Sequence, residues 1–215
     1  MRAIVALFIL LLCSNILAQQ YVDSHNPDEI KSLIGKSSET YGFGGADLKI
    51  GDIAGNRSLI IGASGGVIVN RTYFLGLAGY GLVTDNEIDG LIPTATVPME
   101  KKLNIYGGYG GMVFGFTLWT REPVHLHFPF LVGAGAFEVV DNNFFNNNFD
   151  TDFSIERSAF FIGEPGVQVE FNITENFRLG TGVSYRLVTG LDMVNLRDED
   201  LTGLSTNISV RFGQF

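Results

Sequence analysis

Four short stretches carry residue types that could do chemistry. Gly62–Gly66 reads GASGG and matches G-x-S-x-G, the spacing of a serine nucleophile held on a sharp strand-to-helix turn. That geometry needs a helix after the serine, yet the next residues are VIVN, Val67–Asn70, which continue as strand. His125 and His127, in HLH, stand two apart, so on a strand they share one face as two metal ligands would. A metal centre also needs a third ligand and groups that orient the imidazoles, and packing in a polar interior asks for neither. Acidic residues gather at Asp141, Asp150 and Asp152 and again at Asp198, Glu199 and Asp200. Carboxylates of this kind suit calcium, but the EF-hand spacing is absent and a solvated loop is the expectation. No complete dinucleotide or P-loop motif occurs, so no cofactor is expected.

The elements that must position these residues show themselves best in EPGVQVEFNITENFRLGTGVSYR, Glu164 to Arg186. Glu164, Gly166, Gln168, Glu170 and Asn172 alternate with Pro165, Val167, Val169, Phe171 and Ile173. Such a period of two marks a strand with different surroundings on its two faces. A three-residue turn of Thr174, Glu175 and Asn176 pairs Ile173 with Phe177, sets Glu164 opposite Arg186 and puts Glu170 diagonal to Arg178. A two-residue turn would pair polar with apolar positions, so the longer one is expected.

Eight strands follow from alternation and turn residues, at about Thr40–Asp52, Ser58–Val69, Thr72–Val83, Lys102–Trp119, Val124–Val140, Ser158–Ile173, Phe177–Val188 and Leu204–Phe212. Connections after the second, fourth and sixth are short, whereas those after the third, fifth and seventh are long and polar. Short turns at one end, long loops at the other and an even strand count are the pattern of a bacterial outer-membrane barrel. Lipid forbids an open sheet edge, so such a sheet must close. The fold class expected is therefore all-β: an eight-stranded antiparallel up-and-down transmembrane β-barrel with a short N-terminal helix.

Targeting and composition agree with export. MRAIVALFILLLCSNILAQQ has one cation, an apolar run and a polar stretch ending at Ala18, which reads as a signal peptide over 1–18 and contains the only cysteine, Cys13. Residues 19–39 form a periplasmic N-terminal segment with a short helix, capped by Asn26, opened by Pro27 and stopped by Gly35. Residues 40–215 are left for the barrel. A formal net charge of −9 argues against nucleic acid as a partner. Charged residues are only 17% and the mean hydropathy is +0.21, so something apolar must surround much of this acidic protein. Ile105–Trp119 is too short and too rich in glycine for a spanning helix, while a spanning strand needs only about 9 to 11 residues.

With the apolar face on lipid, the polar face lines the barrel. The same parity turns inward Asp47, Lys49, His125, His127, Glu164, Gln168, Glu170, Arg178, Arg186, Asn207 and Arg211, a structural network that plugs the interior. Glu164 with Arg186 is its central expected pair. The third and fourth strands, apolar on both faces, resist assignment, and Pro129 and Pro165 are expected at bulges or strand ends. Trp119, Phe128, Phe171, Phe177, Phe212 and Phe215 are expected as an aromatic girdle at the short-turn rim.

On GGVIVNRTYFLGLAGYGL (Gly65–Leu82), YGGYGG (Tyr106–Gly111), PVHLHFPFLVGAGAF (Pro123–Phe137), EPGVQVEFNIT (Glu164–Thr174), SYR (Ser184–Arg186) and the terminal FGQF, the chain resembles the small outer-membrane β-barrels of Gram-negative bacteria, of OmpX and OmpA transmembrane type. It looks closest to an exported barrel group whose motifs carry no known chemistry. The resemblance implies residence in the outer membrane with periplasmic termini, and as partners outer-membrane lipid, the barrel assembly machinery and an extracellular or envelope partner met through the loops. It implies no enzyme activity. The expected role is structural or surface-interacting. The alternatives are a barrel that binds or transports a small hydrophobic ligand, a lipid-modifying enzyme using Ser64 with His125 or His127, and a soluble exported β-sandwich or lipocalin-like binder.

Overall fold

The computed structural model describes residues 38–92, 99–141 and 154–215. The expected signal peptide, nearly all of the N-terminal segment with its helix, and Asp150 and Asp152 lie outside the described residues.

Strands form where the sequence alternates. They are β1 (Thr40–Ile53), β2 (Asn56–Val69), β3 (Tyr73–Leu82), β4 (Asn86–Ile92), β5 (Met99–Leu118), β6 (Val124–Asp141), β7 (Ser154–Thr174), β8 (Phe177–Thr189) and β9 (Gly203–Gly213), with one helical turn, α1 (Asp198–Leu201), before β9. Each ring strand pairs antiparallel with its neighbours, and β3 pairs with β5 to close eight strands into a ring. Closure removes the open edges that a flat sheet would expose. The ninth strand, β4, resumes the path of β3 after a break at Val83–Asp85 and pairs with the far end of β5. Part of the polar stretch expected as a long loop is therefore a β4–β5 hairpin; β5, β6 and β7 also run on as 20, 18 and 21 residues.

Turns sort by end. The β2–β3, β5–β6 and β7–β8 turns lie with the start of β1 and the end of β9 at what we call the short-turn end. The β8–β9 connection, the end of β4 and the end of β6 lie at the other, the lid end. Ala54 and Gly55 alone make a tight turn there, with φ of 50° and 76°. Both residues being left-handed matches the twist of a two-residue hairpin.

The β7–β8 turn differs from expectation. Thr174 pairs with Phe177 and Asn172 with Arg178, with the ladder shifted at the intervening Ile173. A two-residue turn plus one bulged residue thus keeps polar opposite polar, which a plain two-residue turn would not. Pro129 and Pro165 mark neither bulges nor strand ends. Pairing lapses at Phe128–Pro129 against β7 and at Glu164–Pro165 against β8, then resumes in the same register. A missing N–H removes a bond without adding a residue.

Facing is settled on the strands that resisted parity. Phe74 and Ala78 of β3 are buried, as are Leu103, Ile105, Tyr109 and Val113 of β5, while Leu75, Leu77, Met112, Phe114 and Phe116 are exposed on the outside. The outward residues are predominantly apolar around the whole ring: Leu77, Phe161, Leu204 and Phe212 are each at least 60% exposed. Between Leu59 and Val69 of β2, Ala159 and Ile173 of β7, or Phe177 and Thr189 of β8, no outward position is charged. Beyond that belt charges begin at once: Asp52 pairs across the ladder with Arg57, and Glu138 with Arg157, at the lid end. Rings pair along the outer wall at the short-turn side, Phe116 stacked on Phe128 and Phe177 tilted against Phe212, each with centroids 4.9 Å apart.

Candidate functional site: the polar lumen and its lid

Inward alternation brings charge from five consecutive strands into one narrow space. Asp47 and Lys49 come from β1, His125 and His127 from β6, Glu164, Gln168 and Glu170 from β7, Arg178 and Arg186 from β8, and Asn207 and Arg211 from β9; every one is less than a tenth exposed. An ion buried this way must be paired and hydrogen-bonded, or it unfolds what surrounds it. The side chains sort into three groups.

Mid-height, Glu164 is the hub. Its Oε1 accepts from Lys49 Nζ at 2.7 Å and from Ser184 Oγ at 2.5 Å, and its Oε2 accepts from Tyr109 OH at 2.9 Å. The ammonium of Lys49 also lies 3.5 Å from the centre of the Tyr80 ring, a cation over an aromatic face. Asp47 stands beside this hub and accepts from Ser64 Oγ at 3.1 Å and Tyr80 OH at 3.3 Å.

Near the short-turn end, Glu170 is the hub. It accepts from Arg211 Nη1, takes His125 Nε2 at 2.9 Å and has Arg178 Nη1 at 3.8 Å. Arg211 also donates to His127 Nε2 at 2.8 Å. That nitrogen must therefore be the acceptor, which leaves the ring proton on Nδ1 to be donated to Thr117 Oγ1 at 3.0 Å. The His127 ring stacks on Phe74 with centroids 4.3 Å apart. Phe215, expected in the outer girdle, instead puts its ring 3.8 Å from the Arg178 guanidinium carbon. Phe215 thus packs at the short-turn mouth, while Phe212 keeps the outward phase of Ile208 and Val210.

Arg186 belongs to neither hub. Its Nε donates to the Leu201 carbonyl at 2.5 Å and its Nη2 to the Asp52 carbonyl at 3.0 Å. The expected Glu164–Arg186 pair is therefore not formed. The two residues hold the expected register, but Glu164 turns across the lumen to β1 and β5, and Arg186 points up to the β8–β9 connection.

That connection is a lid. Asp192 N bonds Ser158 Oγ at 2.9 Å, and the Glu156 carboxylate accepts from the backbone of Val194 and Asn195 at 3.1 and 3.2 Å, all on the β7 side. Asn195 reaches β4, where it bonds both backbone groups of Leu91 at 2.7 and 3.1 Å. On the β1–β2 turn, Ala54 N donates to the Asp200 carbonyl at 2.7 Å. Leu196 and Leu201 drop from this strap into the mouth and are 1% exposed. Beneath them Ile53, Ile60, Leu103, Ile105, Val139 and Ile162 fill the lumen with hydrocarbon.

The space left inside is small. One cavity of about 30 Å³ lies between the two hubs, and another of about 10 Å³ lies against Phe215. Volumes of this size hold one or two waters and no organic ligand. Ser64 sits in the middle of β2, which runs straight through it, and its hydroxyl is spent on Asp47; the two histidines serve Glu170, Thr117 and Arg211. Nucleophile and base are thus bonded to different groups, and the lipid-modifying arrangement is not assembled. Asp198 accepts from the backbone of Gly190 and Leu191, Asp200 from that of Arg197, and Asp141 binds Lys101 at 2.5 Å. These carboxylates cap local backbone or pair with lysine.

The solved structures similar to this chain include small outer-membrane β-barrels. Neisserial surface protein A aligns with 82% of this chain and 99% of its own at 13% identity and a TM-score of 0.49. The N-terminal β-barrel domain of Pseudomonas aeruginosa OprF aligns with 82% and 98% at 12% identity and a TM-score of 0.46. Ail, the attachment invasion locus protein of Yersinia pestis, aligns with 82% and 97% at 16% identity and a TM-score of 0.40. No family model matches the sequence, and no curated protein matches it.

Several residues of the barrel's network escape a reading by alternation. Tyr80 and Tyr109 lie on strands with apolar residues on both faces, so their phase is hidden. Ser184 and Ser209 do not: they share the inward phase of Arg186 and Arg211, alternation places them inside, and both are buried there. Glu156 and Asn195 carry no signal, since a strap that bonds backbone to side chain has no period.

Proposed function

We propose that this chain resides in the outer membrane as a plugged β-barrel and acts through the surface it builds at its lid end. The observation that carries the reading is the outer wall: a closed ring, predominantly apolar and without outward charge for about the depth of a bilayer, with charge at both margins. A soluble sandwich or lipocalin-like barrel would bury its apolar face and wet its polar one, and here the polar face is the buried one. The short turns gathered at one end support a periplasmic position for that end, and the lid with the paired strands β4 and β5 then faces outward.

Within this reading the lumen network is structural. Two cross-lumen hubs hold the ring in register, and the lid with the Phe215 ring keeps both mouths shut. Neither transport through the lumen nor an organic ligand held within it has room, so the role left to the protein is display of its outer surface to a partner.

Two experiments test the two halves of this proposal. In planar bilayers the purified protein should show no steady conductance steps; steps of ohmic pore size would refute the plug. On intact cells, an impermeant maleimide should label a cysteine placed at Val194 and reach one placed at Glu122 only after the envelope is permeabilised. The opposite labelling would invert the orientation.

A further inference from the structure

Arg178 and Arg211 stand directly opposite each other on the β8–β9 ladder, both turned into the lumen, and are 4% and 8% exposed. Like charges at facing positions of a sheet repel. One carboxylate serves both. Glu170 gives Oε1 to Arg211 Nη1 and Oε2 to His125 Nε2, and Arg178 Nη1 stands 3.8 Å away from it. Among the described residues the buried carboxylates are three, Asp47, Glu164 and Glu170, against four permanent cations, Lys49, Arg178, Arg186 and Arg211. Lys49 belongs to Glu164 at mid-height and Arg186 to carbonyls at the lid, so the short-turn half holds one positive charge more than its acid offsets.

The hydrogen bonds leave a matching remainder. Arg178 makes none to a described residue, and its Nε is fully buried. Arg211 spends its Nη groups on Glu170, His127 and Gln168, and its Nε is likewise buried without an acceptor. The Phe215 ring, 3.8 Å from the Arg178 guanidinium carbon, and the Phe43 ring, 6.0 Å from that of Arg211, offset charge but offer an N–H no lone pair. A buried donor without an acceptor costs the desolvation of that group. Thr117 adds a third donor: its oxygen accepts the His127 Nδ1 proton, which leaves its own O–H to donate elsewhere.

Arg178, Arg211 and Thr117 all line the cavity of about 10 Å³ beneath Phe215. That space suits one particle the size of a water molecule. Water would take these donors but leave the surplus charge, whereas an anion answers both. Chloride is little larger than water and accepts from several directions at once; phosphate and sulfate, with four oxygens each, do not fit. Glu170 lines the same cavity, and its charge, engaged by Arg211 and His125, keeps the hold on an anion modest.

We propose that the short-turn half of the lumen binds one chloride ion, held by the Arg178 and Arg211 guanidinium groups and the Thr117 hydroxyl and enclosed by the Phe215 ring. The ion is part of the plug: it bridges β8, β9 and β5 and screens two facing arginines from each other. This goes beyond the surface role proposed above and holds whichever way the barrel faces.

Thermal unfolding of the full-length mature protein in zwitterionic micelles tests the site, with chloride varied and sodium gluconate holding the ionic strength constant. Gluconate is too large for the cavity. Between about 1 and 300 mM chloride the unfolding midpoint should rise by about 3 °C or more and level off, because an ion bound only by the folded state stabilises it. Bromide should replace chloride. Arg178→Met should abolish the dependence, and Thr117→Val should move its half-point to roughly fivefold higher chloride. Crystals of the unaltered protein grown with bromide should show an anomalous peak between the two guanidinium groups, a readout that needs no variant to fold.

A chloride series without effect on the unaltered protein overturns the proposal, as does an equal rise in Arg178→Met. Bromide found on the outer rim alone would be an adventitious ion only and would overturn it too. So would the Phe215 carboxylate seated on both arginines, since the chain would then supply its own anion.

Discussion

From the short-turn end to mid-height the lumen is filled by ions, and from there to the lid by hydrocarbon. In the first half, Glu170 and Glu164 gather Arg211, His125, Arg178, Lys49, Tyr109 and Ser184 from five strands. In the second, Ile60, Leu103, Ile105 and Val139 meet Leu196 and Leu201, and the one charged side chain there, Arg186, is spent on carbonyls of the lid and β1. The two fillings specify different things. An apolar contact is nearly indifferent to which methyl group it meets, so the upper half supplies burial at about 1.5–3 kcal/mol per large side chain. A buried carboxylate accepts only the donors aimed at it, so the lower half selects one register over its neighbours, since a one-residue slip would turn every lumen ion onto the apolar outer wall.

This contrast makes the effects of substitutions unequal. Glu170→Ala should be the most damaging, with a loss of about 3–5 kcal/mol in denaturant unfolding from lipid, because two guanidinium groups stay buried without their carboxylate. The mid-height hub sharpens the point: Lys49→Met alone should cost nearly as much, while Lys49→Met with Glu164→Leu should recover a large share of it. A double variant no better than the single would mean that the pair is not a unit.

Leu201→Ala comes next, at about 2–4 kcal/mol for the cavity under the lid. It should leave the short-turn half protected from hydrogen exchange. Arg186→Ala combined with Glu164→Ala should give the sum of the two single effects to within about 0.5 kcal/mol, since the two side chains serve different partners. Strong coupling in that cycle would restore the pair that strand register suggests. Asn195→Ala should be the mildest, costing about 1 kcal/mol or less globally, yet it should expose the lid to protease cleavage near Val194.

How far the sequence reveals this molecule follows from which signals are local. Glu164–Arg186 alternates cleanly, and its strands, inward face and register could all be read because they depend on neighbours along one hairpin. The partner of Glu164 could not. Register places Arg186 opposite it on the next strand, but an eight-stranded barrel is so narrow that inward side chains converge across the lumen. Lys49 on β1 and Tyr109 on β5 reach Glu164 from strands that never pair with β7. The β7–β8 turn was misread for a related reason: a bulge at Ile173 restores the phase that a two-residue turn breaks, and one extra residue leaves no mark in composition. Phe215 shows the limit at the chain end. Its type fits an aromatic girdle, but two residues past the last ladder it is free to fold beneath the barrel onto Arg178.

The central claim is that the outer wall meets lipid while the lid end meets water. Single nitroxide labels at Leu77, Val183 and Ile208 on the belt and at Val194 on the lid, in protein reconstituted into bilayers, test it most directly. The account predicts that the three belt labels relax readily with dissolved oxygen and barely with a water-soluble nickel chelate, and that Val194 behaves in the opposite way. Belt labels open to the nickel chelate would contradict it, because the apolar wall would then not be the surface in lipid.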